Sequence, residues 1–394
     1  MTFIVNHDTW RRVKFGDVVQ KVNAKVNPGD GRVSRYVAGE HMDTDGLRIS
    51  RWGEIGDGYL GPAFHTLFRA GQVLYGSRRT YLRKVALSDF DGVCANTTFV
   101  LETRHHEVLL PELLPFVMST EAFHAHSIAE SKGSVNPYVN WPDIAKYEFN
   151  LPPLEDQQRI ADLLWSSRRN VEAQRELVSR LRGVRVAFVD KRLSGADEEK
   201  PLGQLVEKLG DGPFGSKIKS EHYSSEPGTR VLRLQDVGDG RIKDDDVAWL
   251  RSEYVHDNLA SYLVEAGDFV VAGLGDERNP VGRAALADSV VGSVHKADIF
   301  RGKPKVSLVT SEYLVEALNS FRVRPRVLAR AQGTTRMRIN TTNMKLVLVP
   351  LLPLIEQQRL ANDLAVIDEA IVRQGEDAKQ SELLGYRLLE EVIG

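Results

Sequence analysis

The chain is poor in the residue types and runs that mark several large protein classes. Cys94 is the only cysteine among 394 residues, which excludes an internal disulfide, a zinc ribbon and a cysteine-ligated iron–sulfur cluster. No run of 18 or more apolar residues occurs, and the N-terminus lacks the basic and then apolar order of a signal peptide. We therefore expect neither a membrane span nor secretion, and we expect a cytoplasmic protein.

A bulk charge of either sign is also missing. Lys and Arg total 52 and Asp and Glu total 54, which leaves a formal net charge of -2. A polycation that binds nucleic acid through its net charge is excluded, so any such contact has to come from local clusters of cations.

Complete catalytic and cofactor motifs are absent as well. Residues 136–138 (Asn-Pro-Tyr) hold only part of the N-P-P-Y motif of amino-methyltransferases, and residues 210–217 resemble a phosphate-binding loop with its Lys and Ser in the wrong order. Residues 273–275 lack the third glycine of a dinucleotide fingerprint, and no G-x-S-x-G elbow occurs. The histidines have no spacing that would place a metal-ligand set on one face. We expect no catalytic residue, no cofactor and no metal.

What the chain does contain is an internal repeat. Residues 151–164 and 351–364 are identical at eight of fourteen positions, including a Gln-Gln-Arg triplet in each. Upstream, Gly133 aligns with Gly333 at the same shift of 200, residues 70–74 align with 266–270, and residues 15–17 align with 202–204. Because these anchors are collinear, the chain predicts a globular module and a helix, followed by the same pair again.

Each module is expected to belong to the α+β class. Short strand patterns occur at residues 72–75, 97–101, 268–272 and 346–349, and a helical pattern occurs at 112–125. Such a mixture fits an α+β module of roughly 150 residues better than a doubly wound parallel sheet.

Two long helices are expected after the repeated L-P-P-L and L-L-P-L segments. No proline interrupts residues 155–193, which as one helix would be about 58 Å long at 1.5 Å per residue. In the second copy, Leu360, Leu364, Ile367 and Ile371 follow the spacing of a coiled-coil seam. No extended linker could return the chain for a parallel pair, so we expect an antiparallel pair that holds the modules apart.

Two segments of the chain are locally basic even though the net charge is close to zero. Residues 69–84 contain five cations and residues 317–355 contain seven, and neither window contains an acid. Tyr75 and Tyr81 are interleaved with the first set and offer ring and hydroxyl contacts. Turn-rich loops at 212–219 and around 278 add further cations. As DNA-binding candidates we select Arg78, Arg79, Arg83, Lys84, Lys132, Lys217, Lys219, Arg278, Arg336 and Arg338.

The order of module, L-P-P-L-E-x-Q-x-R-I, long helix and the same series again resembles the DNA-specificity subunit of type I restriction-modification systems. Its most specific parts are residues 151–160, their echo at 351–360 and the D-G-P-F-G-S stretch at 211–216. In the second motif, Leu352 and Ile355 replace a proline and a glutamate.

The resemblance implies two target-recognition domains that read the halves of a split, asymmetric DNA site, and an antiparallel helix pair with an internal pseudo-two-fold repeat. It implies domains at 1–150 and 194–350, with spacer helices at 151–193 and 351–394. It also implies partners: double-stranded DNA with a bipartite site, adenine methyltransferase (modification) subunits, two in number, and a restriction subunit that cleaves. This chain itself would be non-catalytic.

One alternative of another class stays open. A coiled-coil scaffold could tether proteins and ignore DNA. The acid-free basic windows favour the DNA reader, and DNA binding with the modification subunit present would discriminate between the two.

Overall fold

A computed structural model describes residues 7–394, so the first six residues, part of the N-terminus from which no signal peptide was expected, lie outside it. The chain forms two compact units. The first unit consists of the residues up to Arg175 together with Glu376–Gly394, and the second consists of Glu176–Gly375.

The first unit contains the strands and helices that come first along the chain. Its strands are β1 (Arg11–Lys14), β2 (Val19–Val22), β3 (Arg35–Val37), β4 (Gly53–Glu54), β5 (Phe64–Phe68), β6 (Val73–Gly76), β7 (Val85–Leu87), β8 (Gly92–Ala95), β9 (Thr98–Thr103) and β10 (Glu148–Leu151). Its helices are α1 (Phe15–Val18), α2 (Leu114–Val117), α3 (Glu121–Ala129), α4 (Trp141–Ile144) and the start of α5 (Leu154–Ser194).

The second unit continues it. Its strands are β11 (Glu198–Pro201), β12 (Val206–Asp211), β13 (Tyr223–Ser224), β14 (Thr229–Leu232), β15 (Ala248–Leu250), β16 (Phe269–Ala272), β17 (Leu274–Gly275), β18 (Ala284–Leu286), β19 (Val294–His295), β20 (Ile299–Pro304), β21 (Met337–Arg338) and β22 (Leu348–Leu351). Its helices are α6 (Leu202–Leu205), α7 (Ser252–Asn258), α8 (Ser311–Asn319), α9 (Arg324–Leu328), α10 (Thr341–Lys345) and the start of α11 (Leu354–Val392).

Both units order their main sheet in the same way. The first has the antiparallel order β2-β9-β6-β7 and the second has β12-β20-β16-β18. A second sheet in each contains one parallel pair, β3 with β8 and β14 with β19. A two-stranded antiparallel ribbon, β1 with β10 or β11 with β22, leads into the long helix. The mixed helix-and-strand class predicted from the sequence is therefore confirmed.

The core of each unit lies between the main sheet and the helices. In the first, Phe15, Tyr75 and Phe123 are fully buried together with Ile160 of α5. In the second, Phe269 and Tyr313 are buried with Leu360 of α11. The apolar face of each long helix is thus part of a domain core, which explains why that face is apolar over its first turns.

The expected single helix at 112–125 is wrong. The structure has two helices there, α2 and α3, separated by Met118–Thr120. Pro115 lies in the first turn of α2, and the Thr120 hydroxyl accepts a hydrogen bond from the Phe123 N–H and so starts α3 as a new helix. The strand expected at 346–349 begins only at Leu348, because α10 and its cap occupy the preceding residues.

The long helices contact one another inside each unit. In the first, Arg175 of α5 bonds Glu382 of α11 at 2.6 Å, and Asn170 bonds Ser381 at 3.4 Å. In the second, Arg185 of α5 pairs with Asp368 at 2.6 Å. Further along α5, Arg192 pairs with Asp363 at 3.2 Å. Residues later in α5 therefore pair with residues earlier in α11.

The repeated Gln-Gln-Arg triplet has a structural role. The first glutamine of each, Gln157 or Gln357, is buried and bonds three backbone groups. Gln157 accepts from the Leu110 N–H and donates to the carbonyls of Val108 and Pro152, each at 2.9 Å. Gln357 makes the same three bonds to residues 310, 308 and 352 at 2.8–3.0 Å. Each glutamine therefore joins its long helix to the module that precedes it.

None of the helices within residues 7–394 combines the length and apolarity needed to cross a bilayer.

Candidate nucleic-acid interface

An exposed hairpin loop lies beside the end of the main sheet in the first unit. Lys132 and Tyr138 close it with reciprocal backbone hydrogen bonds of 2.8 and 2.9 Å, and Gly133 inside it has a φ of 89°. The Val139 N–H donates to the Ser77 carbonyl, and the Arg79 N–H donates to the Pro137 carbonyl. The loop is thus fixed to the segment that follows β6, where Arg78 and Arg79 lie. We call residues 132–138 the first hairpin.

The second unit contains the same arrangement. Gln332 and Arg338 close a loop with two backbone bonds of 2.8 Å, and the Ile339 N–H donates to the Gly273 carbonyl. Gly333 has a φ of 111°, and a Cβ there would lie 2.2 Å from the Arg336 carbonyl, so only glycine fits. We call residues 332–338 the second hairpin.

Three of the predicted cations of the first unit converge on the first hairpin. Arg78 bridges Tyr138 through the backbone, and the Arg79 Nε donates to the Asn136 Oδ1 at 2.9 Å. Both arginines are exposed. Lys132 is also exposed but pairs with Asp143 at 2.8 Å, and this bond and charge raise its pKa.

Arg83 and Lys84 have a different environment. Arg83 is ion-paired with Asp45 at 2.9 Å and with Glu121, and Glu121 also accepts from the Tyr386 hydroxyl of α11. The Lys84 ammonium donates to the Gly39 carbonyl. These cations join the loop after β6 to the rest of the first unit.

In the second unit, Arg336 is exposed at the tip of the second hairpin. Arg338 pairs with Asp298 at 2.7 Å. The charges of both side chains also affect the pKa of the nearby Asp211. Burial and then the charge of Asp298 raise the pKa of Asp211, whereas Arg338 lowers it. Within residues 7–394, the second hairpin therefore combines Arg336, which forms no ion pair, with the ion-paired Arg338.

Arg278 lies in the loop after β17, next to the second hairpin. Asp276 organises this loop by accepting from the backbone N–H groups of Arg278 and Asn279 at 3.0 and 2.8 Å. These bonds, the Asn279 one first, lower the pKa of Asp276.

The sequence reasoning missed Arg283, which supports the same loop from below. Its guanidinium is buried and donates to five backbone carbonyls, those of Leu234, Val237, Leu274, Asn279 and Pro280. The only sequence signal is one arginine inside the apolar run V-G-R-A-A-L.

Lys217 and Lys219 belong to the other layer of the second unit. The Lys217 ammonium lies 3.3 Å from the Tyr262 hydroxyl, and Lys219 lies 3.8 Å from Glu221. Ile218 between them is buried in the small core around the β14 sheet. Within residues 7–394, the side-chain hydrogen bond of Lys217 and the ion pair of Lys219 go to Tyr262 and Glu221 and not to the second hairpin.

The two tyrosines predicted to flank the first basic window differ in exposure. Tyr75 is fully buried and shares a hydrogen bond with Ser127, and burial raises its pKa to about 12. It is therefore a core residue, and the expectation that it offers a DNA contact is wrong because β6 is a central strand of the main sheet. Tyr81 is 51% exposed and remains available.

Folding also weakens the basic window at 317–355. Arg324 pairs with Asp239 and Arg326 pairs with Glu199, both acids far away in the sequence. Arg322, Arg330 and Arg336 remain exposed. Across the described part of the chain, no group of three His, Cys, Asp or Glu side chains is placed to hold a metal ion.

Comparison with known proteins identifies the same kind of protein in each case. Residues 8–177 match the model of the type I restriction modification DNA specificity domain. The chain is 25% identical over 153 residues to the specificity subunit of the type I restriction enzyme EcoDI from Escherichia coli, an alignment that spans 39% of this chain and 33% of that one. It is 23% identical over 327 residues to the MjaVIII specificity subunit from Methanocaldococcus jannaschii, spanning 77% and 73% of the two chains.

The fold is similar to that of a solved chain from a study of complex assembly and conformational transition in a type I restriction-modification system. The TM-score is 0.62 at 20% identity, with 98% of this chain and 97% of that chain covered. Residues 8–177 thus carry a type I restriction modification DNA specificity domain, and the chain is similar over 77% of its length to a specificity subunit. These similarities support a DNA-sequence-recognition subunit.

Proposed function

We propose that each unit is a target-recognition domain that reads one half of a bipartite site in double-stranded DNA. The observation that carries this proposal is the duplicated hairpin, which each unit supports on the same backbone bonds beside exposed arginines. Exposed guanidinium groups next to an amide-rich loop suit contacts to phosphates and to base edges. Two such modules in one chain multiply sequence specificity because both have to be satisfied together.

The ten selected cations have unequal support in this proposal. The support is best for the cations that are exposed on or beside a hairpin, which are Arg78, Arg79, Arg278 and Arg336. Lys132 and Arg338 lie on the hairpins but are ion-paired. Arg83 and Lys84 bond residues of their own unit, and Lys217 and Lys219 lie in the other layer.

The proposal includes the spacer. Helices α5 and α11 form an antiparallel coiled coil between domains 1–150 and 194–350. The spacer segments predicted at 151–193 and 351–394 become helical only at Leu154 and Leu354, because Leu151 and Leu351 end strands β10 and β22. The ion pairs of Arg175, Arg185 and Arg192 support it, since they lie along a continuous helix of 41 residues. Such a helix is about 62 Å long, enough to hold two modules on grooves more than one 34 Å turn apart.

We further propose that the chain is a non-catalytic member of a larger complex. It would direct adenine methyltransferase subunits, two in number because its helices are duplicated, and a restriction subunit, to the site that it reads. The name of the matching family and the complex assembly described for the structural relative support these partners. A protein that acts on cellular DNA in this way would be cytoplasmic.

Methylome sequencing tests the proposal. Cells that carry the protein and its modification subunit should contain methylated adenines in one bipartite motif, and cells without the protein should lack that motif. Purified complex should bind DNA with this motif more tightly than DNA with either half scrambled. Binding that is absent or indifferent to sequence would contradict the proposal and support a protein scaffold.

A further inference from the structure

The two hairpins are alike in backbone and exposure but differ in side chains. The pattern of buried and exposed residues from 131 to 140 is identical to that from 331 to 340. Each contains a left-handed glycine, then a hydroxyl residue (Ser134 or Thr334), and each ends on a buried aliphatic residue. Each position of the first hairpin therefore has a known counterpart in the second, and the side chains at equivalent positions can be compared directly.

One difference is a compensated exchange. In the first hairpin the tip residue Asn136 accepts a hydrogen bond from Arg79 of the neighbouring loop. The position equivalent to Asn136 is Arg336. The position equivalent to Arg79 is Gly275, which pairs with Met337 as Arg79 pairs with Pro137. A guanidinium is therefore present at each tip, supplied by the neighbouring loop in one unit and by the hairpin itself in the other.

We infer that Arg79 and Arg336 are equivalent contacts to the DNA phosphate backbone and that they do not select bases. This inference rests on the proposed function, in which the two units read different half-sites. A group kept at the same place in two domains with different base preferences should contact what all DNA shares, and that is the phosphate backbone. Base selection then falls to side chains that differ between the units.

The chemistry of both tips fits a phosphate. Arg79 and Arg336 are exposed, and no ion pair with a carboxylate is formed by either one in the described residues. Among residues 7–394, the backbone N–H groups of residues 134–136 and 334–336 have no hydrogen-bond partner either. A guanidinium beside exposed amide donors provides several hydrogen bonds for phosphate oxygens.

The test uses the full-length chain with its modification subunits, bound to DNA carrying its methylated motif. Affinity is measured between 50 and 300 mM salt for the variants R79Q and R336Q, with R182Q on the exposed face of α5 as the matched control. Each hairpin variant should bind roughly three- to tenfold more weakly at physiological salt, and the slope of log K against log salt should fall by about 0.9 for each lost phosphate contact. The methylated motif should stay the same, and R182Q should bind like the wild type.

A rescue variant makes the test specific. R79Q/N136R moves the guanidinium to the hairpin itself, as in the second unit, and should restore the salt slope. A salt slope that stays at the R79Q value in a variant with wild-type thermal stability would overturn the equivalence. A changed base preference in one half-site at unchanged salt slope would assign base reading to the arginine and overturn the inference. If the wild-type complex itself lacks any preference for the motif, the proposed function fails instead.

Discussion

Gln157 and Gln357 explain why the most repeated segment of the sequence is repeated. Each buried side-chain amide bonds one backbone N–H and two backbone carbonyls that lie in a loop and would otherwise be unpaired in the core. Only an amide of this length provides both an acceptor and two donors at the same place. The first glutamine of the triplet therefore fixes a helix to a domain, and it needs no direct role in DNA reading.

Replacing Gln157 with Met should lower the free energy of unfolding of the first unit by about 2–4 kcal/mol, because three buried backbone groups lose their partners. Urea denaturation followed by circular dichroism measures this change. The control is Gln158→Met, since Gln158 is exposed and its side chain, as far as the structure describes the chain, bonds only Asp162 of its own helix. Equal effects of the two substitutions would contradict the role assigned to Gln157.

His295 makes the stability of the second unit dependent on pH. Burial lowers its pKa to about 4, and its Nδ1 donates to the Ile299 carbonyl at 2.8 Å. The imidazole of His295 binds a proton near pH 6.5 in the unfolded chain but only near pH 4 in the folded chain. Its contribution to the free energy of unfolding is therefore complete above pH 6.5 and is lost as the pH decreases from 6.5 to 4.

The corresponding measurement is the urea midpoint of wild type and His295→Asn at pH 7.5 and pH 5. The substitution should destabilise the protein at pH 7.5 but reduce the loss on acidification. The remaining loss should include that of the buried His124, whose pKa burial also lowers to about 4. An unchanged pH dependence in the variant would show that His295 does not titrate as described.

Each long helix is joined to a module through a charged contact, but the two units use different residues for it. In the second unit, Arg185 of α5 bonds Glu316 of α8 at 2.6 and 3.0 Å and Asp368 of α11 at 2.6 and 3.0 Å. In the first, Tyr386 of α11 donates to Glu121 of α3, which also pairs with Arg83. The position equivalent to Arg185 is Gly385, which together with Phe116 lines a cavity of about 370 Å³.

Replacing Arg185 with Met should destabilise the second unit by about 1–3 kcal/mol, since two partly buried carboxylates lose four charge-assisted hydrogen bonds. Differential scanning calorimetry would detect a lower melting temperature. Arg182→Met, one turn away on an exposed face of the same helix, is the control and should change it little. A melting temperature that is insensitive to both substitutions would show that the contact of α5 with α8 contributes no stability.

For the whole molecule, the helices set the gap between the half-sites if they act as a spacer. Inserting seven residues after Arg175 and seven after Gly375 keeps the coiled-coil phase and adds about 10 Å, or roughly three base pairs of B-DNA. The methylated motif should keep both half-sites and lengthen its central gap by that amount. Seven residues inserted after Ala196, between α5 and β11, should leave the gap unchanged. An unaltered gap in the helix variant would contradict the spacer.

The sequence alone was sufficient for the repeat, the two long helices and the mixed helix-and-strand class. Apolar periodicity and the absence of proline act over a few turns, and Leu154–Ser194 and Leu354–Val392 follow them closely. It did not predict the break at Met118–Thr120, where the Thr120 cap competes with the helical pattern.

Only the tertiary structure decided which cations are free to meet a ligand. Arg83, Arg324 and Arg326 are neutralised by acids 38 to 127 residues away, whereas Arg79 is brought to Asn136 at a separation of 57 residues. Tyr75 and Tyr81 are both tyrosines in the same basic window, but Tyr75 lies in a central strand and is buried, whereas Tyr81 is exposed. Charge pairing and burial depend on distance in space, which local sequence patterns do not encode. The basic windows could therefore be identified from the sequence, but the partners of their side chains could not.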